Sequence, residues 1–406
     1  MANARAGAVV LVVALAFGTA GCEFPTRHRE VAREAGEHAP ATAATGAVGP
    51  GSTGPGAVAG ALPGMPPLVD PGDVYAADRP GRLSAKVRGD PALIYVPNSG
   101  SNTVAVIDQH TRRVIRQFPT GAEPQHVTPS WDLRTLWVGN DQGNSLTPIN
   151  PATGRPGRPV RVVDPYNLYF TADGRFAVVV AERLGRLDFR DPHSMRLEQA
   201  LPVPCQGVDH LDVTADGRVA VASCEFSGQL VKVGLPAGGR PARVLGVLRL
   251  PVRAAMPQDV RLAPDGRVVY VADQGVGGVW LVDPVALRVV GLVRTGRGAH
   301  GLVISRDATR LFVANRGEGS IGVVSVATRK VVGTWRLPGG ASPDMGGVSA
   351  DGRLLWLSGR YQRQVYAIDT RTGRLVARIG VGAGPHGVCV WPQPGRYSLG
   401  HTGTLR

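Results

Sequence analysis

The chain has 406 residues and a formal net charge of +14, with 43% hydrophobic, 5% aromatic and 19% charged residues. That length supports one large or two medium domains, and the apolar share excludes wholesale disorder. The basic excess is almost entirely arginine, since Lys86, Lys232 and Lys330 are the only lysines. Abundant Gly and Pro with few aromatics favour strands and turns over a helical bundle.

In chain order, the first element is an address. Arg5 precedes an apolar run from Ala6 to Phe17, and small residues lead to Cys22. These are the n-region, h-region and cleavage zone of a secretory signal, and the run is too short for a transmembrane helix. Thr19-Ala20-Gly21-Cys22 resembles a bacterial lipobox, with Thr19 where Leu is usual. The expectation is a lipoprotein signal peptide over 1–21 and a lipidated Cys22, anchoring the chain to the cell membrane on its extracytoplasmic side. A plain secretory signal is the alternative. Residues 22–85 read as a lipid-anchored, low-complexity linker. Its stretch 40–66 is rich in Pro, Ala, Gly, Ser and Thr, carries no charge, and suits a tether.

From residue 90 on the chain repeats itself. One recurring piece is a β-branched or aromatic run closed by a turn residue, as at 94–98, 136–140, 219–223, 269–273, 311–315 and 355–359. A second is an apolar strand ending at Asp108, Asn150, Asp191, Asp283 or Asp369 before a polar turn. A third is the Asp-Gly turn at 173–174, 216–217, 265–266 and 351–352. The unit is about 42 residues long and supplies four short antiparallel strands, which is a propeller blade. Innermost strands begin near residues 126, 167, 210, 259, 300, 344 and 386. The first unit lacks its innermost strand and the last innermost strand lacks a blade. The expected fold is therefore all-β: a seven-bladed β-propeller over 86–395 with four-stranded blades, its ring closed by the C-terminal inner strand. Residues 396–406 are left as a C-terminal tail, with eight blades the alternative if 397–406 forms further sheet.

Tyr95-Val96-Pro97-Asn98, Tyr270-Val271-Ala272-Asp273 and Phe312-Val313-Ala314-Asn315 resemble the repeat motif of the YVTN-repeat (YncE-like) seven-bladed β-propellers. The Asp-Gly-Arg turns and the 369–373 turn fit the same repeat. The resemblance implies the propeller fold and an extracytoplasmic setting. It says little about function.

No HExxH, Walker A or CxxC motif is present, and the GxGxxG match at 317–322 lies in a strand-to-strand turn with no helix after it. Cys205 and Cys224 flank one hairpin and could pair in an oxidising compartment, although register sets Cys224 nearest Asp209. Cys389, on an innermost strand, reads as a buried small hydrophobe. Arginines scattered over the blades suit a solvated surface, or adhesion to an anionic envelope polymer. Sparse aromatics argue against a nucleic-acid partner.

Aligning the innermost strands sets two adjacent columns at one end of the channel. The first reads Gln125, Tyr166, Asp209, Gln258, His300, Asp344, His386, and the second His126, Asn167, His210, Asp259, Gly301, Met345, Gly387. His126, His210, Asp259, His300, Asp344 and His386 are the ligand-binding candidates. His300, Asp344 and His386 share a column on neighbouring blades and form a workable set for zinc or another divalent metal. The same trio could bind a small polar ligand with no metal, and the plainer reading is that these residues cap strand starts and solvate a wet channel. Consecutive strand residues point to opposite faces, so the columns cannot be pooled without bulges. The functional expectation is a membrane-anchored, monomeric binding or scaffolding propeller that holds a ligand or protein partner at one end of the ring. The alternative is a propeller enzyme of lactonase, lyase or metal-dependent type, which the missing catalytic motif disfavours.

Overall fold

The computed structural model describes residues 60–406. Cys22, the signal segment and the front of the expected tether lie outside the described residues. Seven antiparallel sheets form the blades of the ring. Within a blade the chain runs outward, as in Pro257–Leu262, Val269–Asp273, Gly278–Asp283 and Arg288–Arg294. Burial follows position. The second strand Val269–Asp273 is buried throughout, whereas the edge strand Arg243–Arg249 alternates exposed and half-buried residues. Inner strands are covered on both faces by neighbouring blades, so they read as continuous apolar runs, while edge strands face water on one side.

The turn residues that mark the repeat have physical work. Asn140, Asp273 and Asn315 end their strands fully buried, and each ties the next turn together. Asn315 receives the Thr295 hydroxyl at 3.0 Å and donates to Ser320 Oγ at 3.0 Å. Asp273 accepts the Trp280 indole N–H at 2.8 Å and the Gly275 amide at 2.9 Å. At the outer turns, Asp108 and Asp369 accept the amides two and three residues on. The Thr111 N–H holds the Asp108 carboxyl below the usual range, and the Thr372 hydroxyl, then its N–H, does so for Asp369. The Asp-Gly turns need glycine because φ is +74° at Gly217 and +68° at Gly266, the left-handed region.

The ring closes as expected. Cys389–Trp391 pairs antiparallel with Leu93–Asn98, in the register Leu93 to Trp391 and Tyr95 to Cys389. Trp391 Nε1 donates to Asp90 and Gln109 Nε2 to the Trp391 carbonyl, both at 2.8 Å. Cys389 is buried and free. Blade two differs in its outermost strand, which splits into Arg155–Pro156 and Val160–Arg161 around Gly157 and Pro159. Proline cannot donate to a ladder and breaks an edge strand there.

Two segments depart from the expected boundaries. Residues 60–85, assigned by composition to the linker, lie against the ring at the Asp-Gly end. Leu62 N donates to Asp216 O, Val74 N to Pro264 O, and the Tyr75 hydroxyl to Leu262 O. Leu62, Leu68, Val74 and Tyr75 are buried there. Residues 396–406, assigned to a tail, fold back into the channel. Ser398 bridges to Leu405, Ser398 N donates to Trp131 O, and His401 N donates to Leu168 O. The segment is buried along nearly its whole length, and the Arg406 guanidinium stacks over the Tyr75 ring at 5.2 Å. It adds no blade. Arg261, Arg306 and Arg406 are buried and paired with Asp259, Asp78 and Asp212, so part of the basic excess is internal.

Candidate functional site at the channel hub

The inner strands carry the bulges that pooling requires. Pairing with the second strand skips between Pro124 and His126, Val208 and Leu211, Pro257 and Val260, Ala299 and Leu302, and Pro343 and Gly346. Each irregularity falls on the two candidate columns, and a bulge re-aims the side chains beside it. Residues from both columns therefore meet: the His126 ring lies 4.8 Å from the His386 ring. The close approach also explains two glycines. A Cβ on Gly387 would sit 2.1 Å from His126 Cδ2, and one on Gly301 would sit 2.2 Å from the Asp344 carbonyl oxygen.

His300, Asp344 and His386 come together as expected, fully buried, with one donor atom from each within 4.8 Å of the others. Asp344 Oδ1 lies 2.7 Å from His300 Nδ1, and Oδ2 lies 3.7 Å from His386 Nε2. His386 Nδ1 meets Gln125 Oε1 at 2.9 Å, which leaves Nε2 facing the carboxylate. Arg316 lies 3.4 Å from the same carboxylate. Burial alone would raise Asp344, but His300 and Arg316 hold its carboxyl well below the usual range. Burial, then Arg316, lowers His300; burial, then Arg360, lowers His386. The arrangement is one buried carboxylate set between two buried imidazoles.

His126 and His210 lie directly beside this trio, the His126 ring against His386, and are joined by a residue from the segment that composition assigns to the tail. His401, at the tip of the folded-back segment, completes a second buried group with a donor atom from each within 4.8 Å. The His401 ring is 4.9 Å from His210 and 5.4 Å from His126. Burial lowers His126 well below the ordinary imidazole range and brings His401 down to about 4. At His210 burial also lowers, but Asp209 outweighs it and the net shift is upward. Asp259 serves structure: it accepts Val260 N and Leu302 N at 2.8 Å and holds His401 Nε2 at 3.2 Å.

Half-buried polar groups form a collar above the hub. Gln274 Nε2 donates to Glu225 at 3.0 Å, and Arg316 donates to Gln274 Oε1 at 2.8 Å. Burial and then Asp209 push Glu182 up to about 9 and Glu225 up to about 7. Elsewhere on blade four Cys205 and Cys224 are bonded, their Cα atoms 6.0 Å apart. The incoming loop brings Cys205 to Cys224 although Val208 is the residue in register with it.

A family model described as the YNCE-like beta-propeller matches residues 56–395. The chain belongs to that family. A comparison with curated proteins finds no match. Among solved structures, this YNCE-like propeller is similar to a 6-phosphogluconolactonase-like protein of Bacteroides uniformis, at 17% identity and TM-score 0.61, over 74% of this chain and 99% of that one. It is also similar to Kuenenia stuttgartiensis hydrazine synthase, at 17% identity and TM-score 0.59, over 73% and 97% of the chains. A streptogramin B lyase structure aligns at 12% identity and TM-score 0.54, over 72% and 88%. At such identities the likeness is one of fold.

Proposed function

We propose that this YNCE-like propeller is a lipid-anchored, extracytoplasmic binding protein whose hub holds a divalent first-row metal ion at His300, Asp344 and His386. The observation that carries this reading is the burial of two imidazoles and one carboxylate with a donor atom from each within 4.8 Å of the others. Two imidazoles with one carboxylate suit borderline ions such as zinc. Gln125 behind His386 and Arg316 beside Asp344 orient the donors, as outer partners do in metal sites. The bonded Cys205–Cys224 pair suits an oxidising compartment.

Metal analysis of the full chain after dialysis against zinc tests the centre. Wild type should retain zinc and Asp344→Asn should lose the ion held there, while Gln125→Ala should weaken it by roughly 10–100-fold with all three donors intact. Zinc content unchanged by Asp344→Asn would overturn the assignment. Membrane fractionation tests the anchor: Cys22→Ser should leave the membrane fraction or accumulate as unprocessed precursor, and fractionation and migration like wild type would refute lipidation.

A further inference from the structure

We propose that His126, His210 and His401 form a second metal site in the hub, one that exists only when residues 396–406 are folded back into the channel. The inference rests on reading the hub as metal-binding, but uses different residues. Its first support is orphaned nitrogen. Nε2 of His126, both ring nitrogens of His210 and Nδ1 of His401 are buried without a hydrogen-bond partner among the described residues. An unpaired buried polar atom is costly, and such atoms converging from three separate elements are unusual.

The opposite face of each ring supplies the second support. His126 Nδ1 donates to the Tyr166 carbonyl at 3.0 Å. His401 Nε2 lies 3.2 Å from Asp259 Oδ1, whereas His210 Nδ1 lies 2.8 Å from Asp209 Oδ1 without hydrogen-bond geometry. At His126 and His401 this is the pattern of metal-ligating histidines: an oxygen behind one nitrogen orients the ring and leaves the other for the ion. Three imidazoles suit zinc or copper(II). Asp209 and Asp259, together with Asp344 of the neighbouring set, supply the negative charge that adjacent dications would need.

The way His401 is delivered is the third support. It has φ +54° between Gly400 at +101° and Gly403 at +120°, where Thr404 N and Gly403 N both donate to the Gly400 carbonyl. This tight turn places the imidazole at the tip of the inserted segment, and strain of that kind concentrates where geometry serves a site. An ion bound by His126, His210 and His401 would bind the docked segment in preference to the undocked one. Loading the site would therefore stabilise the plug.

The test counts zinc per full-length chain after equilibrium dialysis and follows amide hydrogen exchange across 398–405. His401→Asn removes the imidazole while keeping a residue that tolerates positive φ, and thermal melting confirms that the ring is folded. Wild type should bind two ions, and zinc should slow exchange in 398–405. His401→Asn and Asp344→Asn should each retain one, and only the former should lose the zinc-dependent protection. Undiminished zinc and protection in His401→Asn would overturn the second site while leaving the first standing. Loss of all zinc in Asp344→Asn would show a single shared centre and overturn it as an independent site. Zinc lost only in His401→Asn would support the second site and refute the first. A wild-type chain that binds none refutes both.

Discussion

Carboxylates at the collar illustrate how a residue's surroundings rewrite its chemistry. Glu182 stands among Asp209, Glu225, Asp141 and Asp164, and burial followed by the Asp209 charge raises it to about 9. Its proton is thus bound more tightly in the folded chain than in the unfolded one, where the ordinary value is 4.5. Between those limits the folded state holds more protons, so the contribution of Glu182 to stability is full below the unfolded value. It is lost as pH rises through about 9. Asp78, raised to about 8, acts in the same direction. The buried His126, His300, His386 and His401, whose values are lowered, act in the opposite direction, so the contribution of Glu182 is read by comparison. Between about pH 5.5 and about pH 8 the melting temperature of Glu182→Gln should fall less, or rise more, than that of wild type. An equal change in the two proteins would show that Glu182 is not among the groups responsible.

At the scale of elements, the inner strand does two jobs that its short length makes hard to separate. Its outer half pairs regularly with the second strand, while its first residues bulge and turn both candidate columns to the channel. The strand that closes the ring is shorter still, Cys389–Trp391, yet it supplies the inner edge of the blade built on Leu93–Asn98. Truncating the chain before Gly384 removes that edge, the folded-back segment and His386 together. The exposed ladder of Leu93–Asn98 would then be free to pair with other chains. Aggregation or the loss of a cooperative melt is the expected outcome. A soluble product that melts as sharply as wild type would mean that closure contributes little.

For the whole molecule, much was legible in the sequence because its information is local. Strand alternation, Asp-Gly turns at positive φ and buried Asn or Asp at strand ends all act within a few residues, so they recur visibly with the blade. Counting inner strands then yields the number of blades and the pairing of the last strand with the first. Even the shared column of His300, Asp344 and His386 follows from aligning equivalent turns. Composition misled at both margins, because a Pro/Gly-rich segment such as 60–66 can be ordered by a surface it packs on, and a short polar tail by a channel it enters. His401 shows the limit most clearly. Nothing within ten residues of it marks it as a partner of His126 and His210, which lie far away in the chain. Only the closed ring creates the channel, only the channel offers the cavity that buries residues 396–406, and only that burial brings the third imidazole to the hub. The repeat and the blade number were written in local chemistry, while the composition of the site was decided by contacts between residues that sequence spacing does not relate.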